Sequence, residues 1–88
     1  MATKTWKLGE VCRGGIITIE TTKTQVKVIA KEWVNSKEWN RLEVNLSEKD
    51  SRSKVEWFLF DLTTSYWGDE ILKWIETKVT FKTNGLWD

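Results

Sequence analysis

Few residues in this chain could act on a substrate. Its 88 residues include one cysteine, Cys12, and no histidine. A thiol becomes a nucleophile when a nearby base or positive charge draws off its proton, and imidazole is the usual base. Without one, Cys12 reads as a small apolar residue near the end of a strand. A thiolate zinc site needs several Cys or His, so no metal is expected. Two carboxylate pairs are close in sequence. Asp69 with Glu70 suits the positive start of a helix. Glu48 and Asp50 alternate with Lys49 and Arg52 in a solvated loop, without the glycine and closing glutamate of a calcium loop. Arg13-Gly14-Gly15 is too short to cradle a phosphate and reads as a tight hairpin turn. No catalytic residue, metal ligand or cofactor is assigned, and the expectation is a non-enzymatic protein.

What remains is binding chemistry. The chain carries seven tryptophans, more than a core of this size needs. Trp57 and Trp74 fit core positions. Trp33, Trp39, Trp67 and Trp87 fall at strand ends, turns or the terminus. An indole there either caps the end of a thin core or is offered to a partner, where tryptophan is the most enriched hot-spot residue. These four are the candidate protein-interface residues. A second surface combines cations with aromatics. Lys27, Lys31 and Trp33 share one side of a strand that Lys23 leads into, and Lys37, Trp39 and Arg41 continue across the next turn. Stacking on indoles with backbone neutralisation is how single-stranded nucleic acids are held. Lys23, Lys27, Lys31, Lys37 and Arg41 are therefore the candidate nucleic-acid residues. Glu32, Glu38 and Glu43 dilute this set. The whole chain has 14 Lys and Arg against 13 Asp and Glu, so any basic footprint is local.

The elements that must position these groups read as a single domain, residues 1–88. Charged residues make up 31% and apolar residues 40%, a balance that supports a folded core. Strands are expected over 5–12, 16–20, 25–34 and 41–47. In the third, Val26, Val28 and Ala30 face one way and Lys27, Ile29, Lys31 and Trp33 the other. In the fourth, Leu42, Val44 and Leu46 alternate with Arg41, Glu43, Asn45 and Ser47. Residues 55–62 are apolar on both faces and are read as a central strand covered twice. Asp69–Lys78 is the one expected helix, with Ile71, Leu72 and Ile75 on a stripe and Gly68 as the breaker before it. Val79 and Phe81 start a last strand, and Leu86-Trp87 pairs back across an Asn84-Gly85 turn. The expected fold is α+β, mostly β: an antiparallel meander of about five to six short strands with one helix packed on it.

The order of strands followed by a short Trp-bearing helix, Lys31-Glu32-Trp33 through Ile71-Leu72-Lys73-Trp74, resembles the positive-cofactor-four type of coactivator. That resemblance implies a dimeric single-stranded-DNA binder with a four-strand sheet and one helix. The chain departs from it in having no lysine excess and in carrying extra strands at both ends. The stretch from Gly9-Glu10-Val11-Cys12-Arg13-Gly14-Gly15-Ile16-Ile17-Thr18-Ile19-Glu20 through Trp33, in a chain of this size without His or Pro, is similar to the small accessory subunit, without an acidic tail, of the crenarchaeal B-family DNA polymerase holoenzyme. It implies docking on the catalytic subunit during DNA replication. The labile Asn84-Gly85 pair and the missing loop prolines depart from a thermophile's habit.

Residues 1–15 carry Lys4, Lys7, Glu10 and Arg13 and no apolar run, so no secretory leader is read. No window approaches the roughly 18 apolar residues of a membrane span. One cysteine cannot form an internal disulfide, and small secreted domains usually need such staples. The expectation is a cytoplasmic protein with no membrane partner. It docks on a larger protein, suspected to be a DNA polymerase catalytic subunit, with DNA contact as the alternative. A small inhibitor or antitoxin-like protein of viral origin is a third class the residues allow.

Overall fold

The computed structural model describes residues 1–9 and 15–81. Four strands come first: β1 (Ala2–Lys7), β2 (Ile16–Thr21), β3 (Gln25–Lys31) and β4 (Glu38–Asn45). They form one antiparallel sheet in the order β1-β2-β3-β4, a meander in which each strand pairs with its sequence neighbour. Two helices follow, α1 (Ser51–Leu62) and α2 (Ser65–Lys78).

Register sorts the strand residues onto two faces, because side chains alternate. Ile17 lies opposite Trp6 and Ala30, Ile19 opposite Lys4 and Val28, and Thr21 opposite Val26. Val28 lies opposite Leu42, and Val26 opposite Val44. This face receives both helices. Val55, Leu59 and Leu62 of α1 and Ile71, Leu72 and Ile75 of α2 join Ile17, Ile19, Val26, Val28, Ala30 and Val44 in one cluster, closed by Leu46 and Phe81. α1 lies against β4 and α2 against β2.

Apart from Phe81 the core is aliphatic. Among the described residues no tryptophan is buried in it. Trp6 and Trp74 instead flank the cluster, packed edge to face with ring centroids 5.5 Å apart. Lys4 lies over the Trp6 ring and Lys78 over Trp74. Such pairs add a modest cation–π attraction to the apolar area they cover. These two indoles cap the core.

Several expected elements differ. Residues 55–62 are not a strand but most of α1. Ser51, Val55, Leu59 and Leu62 form its buried stripe, three or four residues apart, which is a helical period. The aromatic and β-branched content suggested a strand, but the four-strand meander already presents one apolar face for the helices to cover. Arg52 pairs with Glu56 and Lys54 with Asp50, both one helical turn apart, and this charge spacing marks the helix in the sequence. α2 starts four residues before the expected helix, capped by Thr64, whose hydroxyl accepts from the Trp67 backbone N–H. Gly68 therefore lies inside α2, not ahead of it. Asp69 and Glu70 sit beyond its first turn, which holds no acid. The first strand ends at Lys7 and the third at Lys31; the fourth begins at Glu38. Residues 79–81 carry no strand, although Phe81 packs on the core. The Arg13-Gly14 part of the first turn, Cys12, the Asn84-Gly85 turn and Trp87 lie outside the described residues.

Candidate functional site

The first candidate surface is the turn joining β3 to β4. Glu32 N–H donates to the Lys37 carbonyl, and Ser36 N–H to the Glu32 carbonyl. Ser36 takes a positive φ of 57°, and Asn35 Oδ1 accepts from Lys37 N–H at 2.9 Å. The turn is thus fixed by hydrogen bonds rather than by apolar burial. That frees its apolar side chains: Trp33 is 40% exposed and Val34 85%. The ladder slips at Ala30/Lys31, pairing Ala30 with Asn40 and Lys31 with Glu38. Trp39 is the extra residue of this bulge and stands 37% exposed. A bulge re-aims side chains at the end of a ladder. Gly15 bridges to Lys31 beside this turn. A Cβ on it would meet the Lys31 carbonyl at 2.9 Å and the Trp33 nitrogen at 3.0 Å, and its φ is +61°. Only glycine fits there.

The second surface is the sheet face that neither helix covers. Register lays out its rows: Lys7, Ile16 and Lys31; then Thr5, Thr18, Ile29 and Arg41; then Thr3, Glu20, Lys27 and Glu43. Thr5 and Thr18 hydroxyls meet at 3.0 Å. The cations alternate with acids. Lys27 lies between Glu20 and Glu43 in the register. Arg41 donates through two nitrogens to Glu38, at 2.8 and 3.0 Å, and through its third to Glu43 at 3.0 Å. The Arg41 hydrogen bonds hold the Glu38 carboxyl below the usual glutamate range, and the same contacts, with Glu38 first, push the Arg41 guanidinium up.

Of the residues selected from sequence for nucleic acid, Lys27, Lys31 and Arg41 do share this face. Lys37 sits in the β3–β4 turn. Lys23 sits in the β2–β3 turn, at the opposite end of the sheet. Of those selected for a protein interface, Trp33 and Trp39 come together at one turn, and Trp67 lies in the first turn of α2, half-buried and packed edge-on against Tyr66 at 5.2 Å.

Trp57 does not take the core position expected of it. It is 70% exposed on the outer side of α1, touching the Phe60 ring edge to face at 6.5 Å. Tyr66 is also exposed. The two helices meet where Phe60 seats on Gly68. Sequence reasoning missed Trp57 as a surface aromatic because it read 55–62 as a strand, and Tyr66 because it began the helix only at Asp69. A helical reading of Val55, Leu59 and Leu62 would have turned Trp57 outward.

Among the described residues no cluster of three His, Cys, Asp or Glu side chains gathers as metal ligands. No helix there is long and apolar enough to cross a membrane. No family model matches the chain, and neither a curated protein nor a solved structure does.

Proposed function

We propose that this chain is a non-enzymatic accessory module that docks on a larger protein through the β3–β4 turn, with Trp33 and Trp39 as anchors. The observation carrying this reading is that among the described residues the core closes without an indole, while Val34 is exposed and Trp33 and Trp39 are partly exposed on a turn held by hydrogen bonds. Rigid indoles on a fixed turn lose little conformational freedom on binding, which suits a hot spot. The partner that the sequence resemblance suggests is the catalytic subunit of a B-family DNA polymerase, in the cytoplasm. The test is a titration of the chain against that purified subunit. Trp33→Ala or Trp39→Ala should weaken the complex by roughly 2 kcal/mol while Trp6→Ala leaves docking unchanged in the folded fraction. Equal affinity for all three variants refutes the turn as the docking site.

A second reading places single-stranded nucleic acid on the sheet face that carries Lys27, Lys31 and Arg41. A four-strand meander followed by helices, with the half-buried Lys27 and Lys31 on the face away from the helices, favours it. The interleaved Glu20, Glu38 and Glu43 oppose it, because phosphate would meet carboxylate beside each ammonium. An oligonucleotide should then quench Trp fluorescence, with the effect fading as salt rises. No quenching at low salt removes this reading.

A further inference from the structure

The sheet has two edge strands, β1 and β4, and their chemistry differs. On β4 the ladder slips at Ala30/Lys31, and Arg41 is shared between Glu38 and Glu43. A bulge and mutually paired charges discourage the addition of a further strand. β1 has neither, and its six residues run against β2 without a slip. We propose that the outer edge of β1 receives an extended acidic peptide of a partner protein, added antiparallel as a fifth strand, on a surface distinct from the β3–β4 turn.

The register fixes which backbone groups that edge presents. Leu8 N–H donates to the Gly15 carbonyl, which makes these two a hydrogen-bonded pair. Such pairs recur at every second residue of an antiparallel ladder, so Trp6 with Ile17, Lys4 with Ile19 and Ala2 with Thr21 are bonded likewise. The N–H and C=O groups of Thr3, Thr5 and Lys7 therefore point away from β2, and all three residues are exposed. Together they form a template with the spacing of a strand, and no described strand lies beyond it. α2 packs on β2, one strand in from this edge.

Charge selects the occupant. β1 carries Lys4 and Lys7 and no acid, and Lys78 adds an ammonium over Trp74. None of the three forms an ion pair with a described residue; Lys4 and Lys78 lie over the rings of the edge-to-face pair Trp6 and Trp74. Of the acids on β2 and α2, Glu20 lies between Thr3 and Lys27 in the register, Glu76 pairs with Arg52, and Asp69 and Glu70 stand a turn or more before Trp74. A second copy of β1 would double the positive charge along the seam, whereas a strand bearing carboxylates neutralises it. The lysines that guard this edge against its own kind thus favour an acidic strand. Lys4 and Lys7 are three residues apart and leave opposite faces of β1, so the matching carboxylates must also stand three residues apart. The position opposite Trp6 lies on the helix side, beside the Trp6–Trp74 pair, and takes an apolar side chain. The recognised order is acid, apolar, polar, acid, with main-chain bonds giving affinity and the alternate side chains specificity.

The test is amide hydrogen exchange of the full chain by NMR, without and with the capped peptide Thr-Glu-Val-Thr-Glu-Thr. In the chain alone the Thr3, Thr5 and Lys7 amides should exchange fast, and those of Lys4 and Trp6 more slowly. Peptide at ten times its dissociation constant should slow the first three about tenfold. The same peptide methylated on the alternate amides that face β1 should give no protection. Lys4→Gln and Lys7→Gln, both at exposed positions, should each weaken binding about threefold. Thr3, Thr5 and Lys7 amides already protected in the chain alone would mean that residues 82–88 or a second copy hold the edge, and would overturn the proposal. So would peptide-induced shifts without protection, as an anion held by the lysines alone would give, or equal binding of the methylated peptide.

Discussion

Gly68 and Phe60 define the contact between the helices, and substituting the glycine should destabilise the protein in one background and stabilise it in another. In Gly68→Ala the new methyl would lie 2.6 Å from both Cδ1 and Cε1 of Phe60. Carbon atoms in good contact sit about 3.5–4.0 Å apart, so the ring must retreat by about 1 Å. Its retreat is restricted, because Phe60 is half-buried and packs edge-on against Trp57. Overpacking of this kind costs about 1–3 kcal/mol. Against it stands the helical preference of alanine over glycine, at most about 1 kcal/mol. The net expectation is a loss of about 1 kcal/mol, or a fall in Tm of roughly 4–8 °C for a domain this size. In a Phe60→Ala background the obstruction is gone, and Gly68→Ala should then stabilise by about 0.5–1 kcal/mol. Urea unfolding of the four chains of this cycle, followed by circular dichroism, gives the coupling directly. A Gly68→Ala chain more stable than wild type with Phe60 present would refute the contact and the reasoning from it.

Other perturbations separate the core from the surface. Leu59→Ala, at a fully buried site, should cost about 2–5 kcal/mol, whereas Trp57→Ala, two residues away, should cost under about 1 kcal/mol despite the larger deletion; chemical denaturation ranks them, and the reverse order would return Trp57 to the core. Ser51 is fully buried and its hydroxyl finds no partner, so Ser51→Ala should be neutral or stabilising by up to about 1 kcal/mol in the same measurement, and a marked loss would mean the hydroxyl is bonded. Glu38 and Glu48 are held below the ordinary glutamate value of 4.5, by hydrogen bonds from Arg41 and Lys54 respectively. The folded chain binds these protons less readily than the unfolded one, so this contribution is complete above the ordinary value and lost as pH falls through the depressed ones. Exposure keeps it small. Thermal melts from pH 6 to 3 should fall less steeply for Glu38→Gln with Glu48→Gln than for wild type, and parallel curves would exclude the effect.

The strands were legible because alternation is a local property. Val26, Val28 and Ala30 on one side of β3, and Val44 with Leu46 after them, declare a buried face within a few residues of chain, and the structure buries them. The β3–β4 turn was legible for a related reason, since Asn35-Ser36-Lys37-Glu38 marks a polar turn between two alternating runs, whereas the exposure of Trp33 and Trp39 beside it was not. Residues 55–62 were not legible by composition. Val, Trp and Phe favour strands intrinsically, but tertiary packing overrides such preferences. A meander with one apolar face needs cover, and Val55, Leu59 and Leu62 supply it only when spaced around a helix. That one choice turned Trp57 from core to surface and placed Phe60 on Gly68.

Composition alone set the absence of histidine, the near balance of charge and the excess of tryptophan, because these are counts that no fold can change. Tertiary structure alone decided which indoles lie outside, which acids stand beside Arg41 and Lys27, and which side of α1 meets solvent. The physical reason is distance. Burial and charge pairing depend on residues far apart in the chain, such as Trp6 with Trp74 or Phe60 with Gly68, and no local pattern contains them.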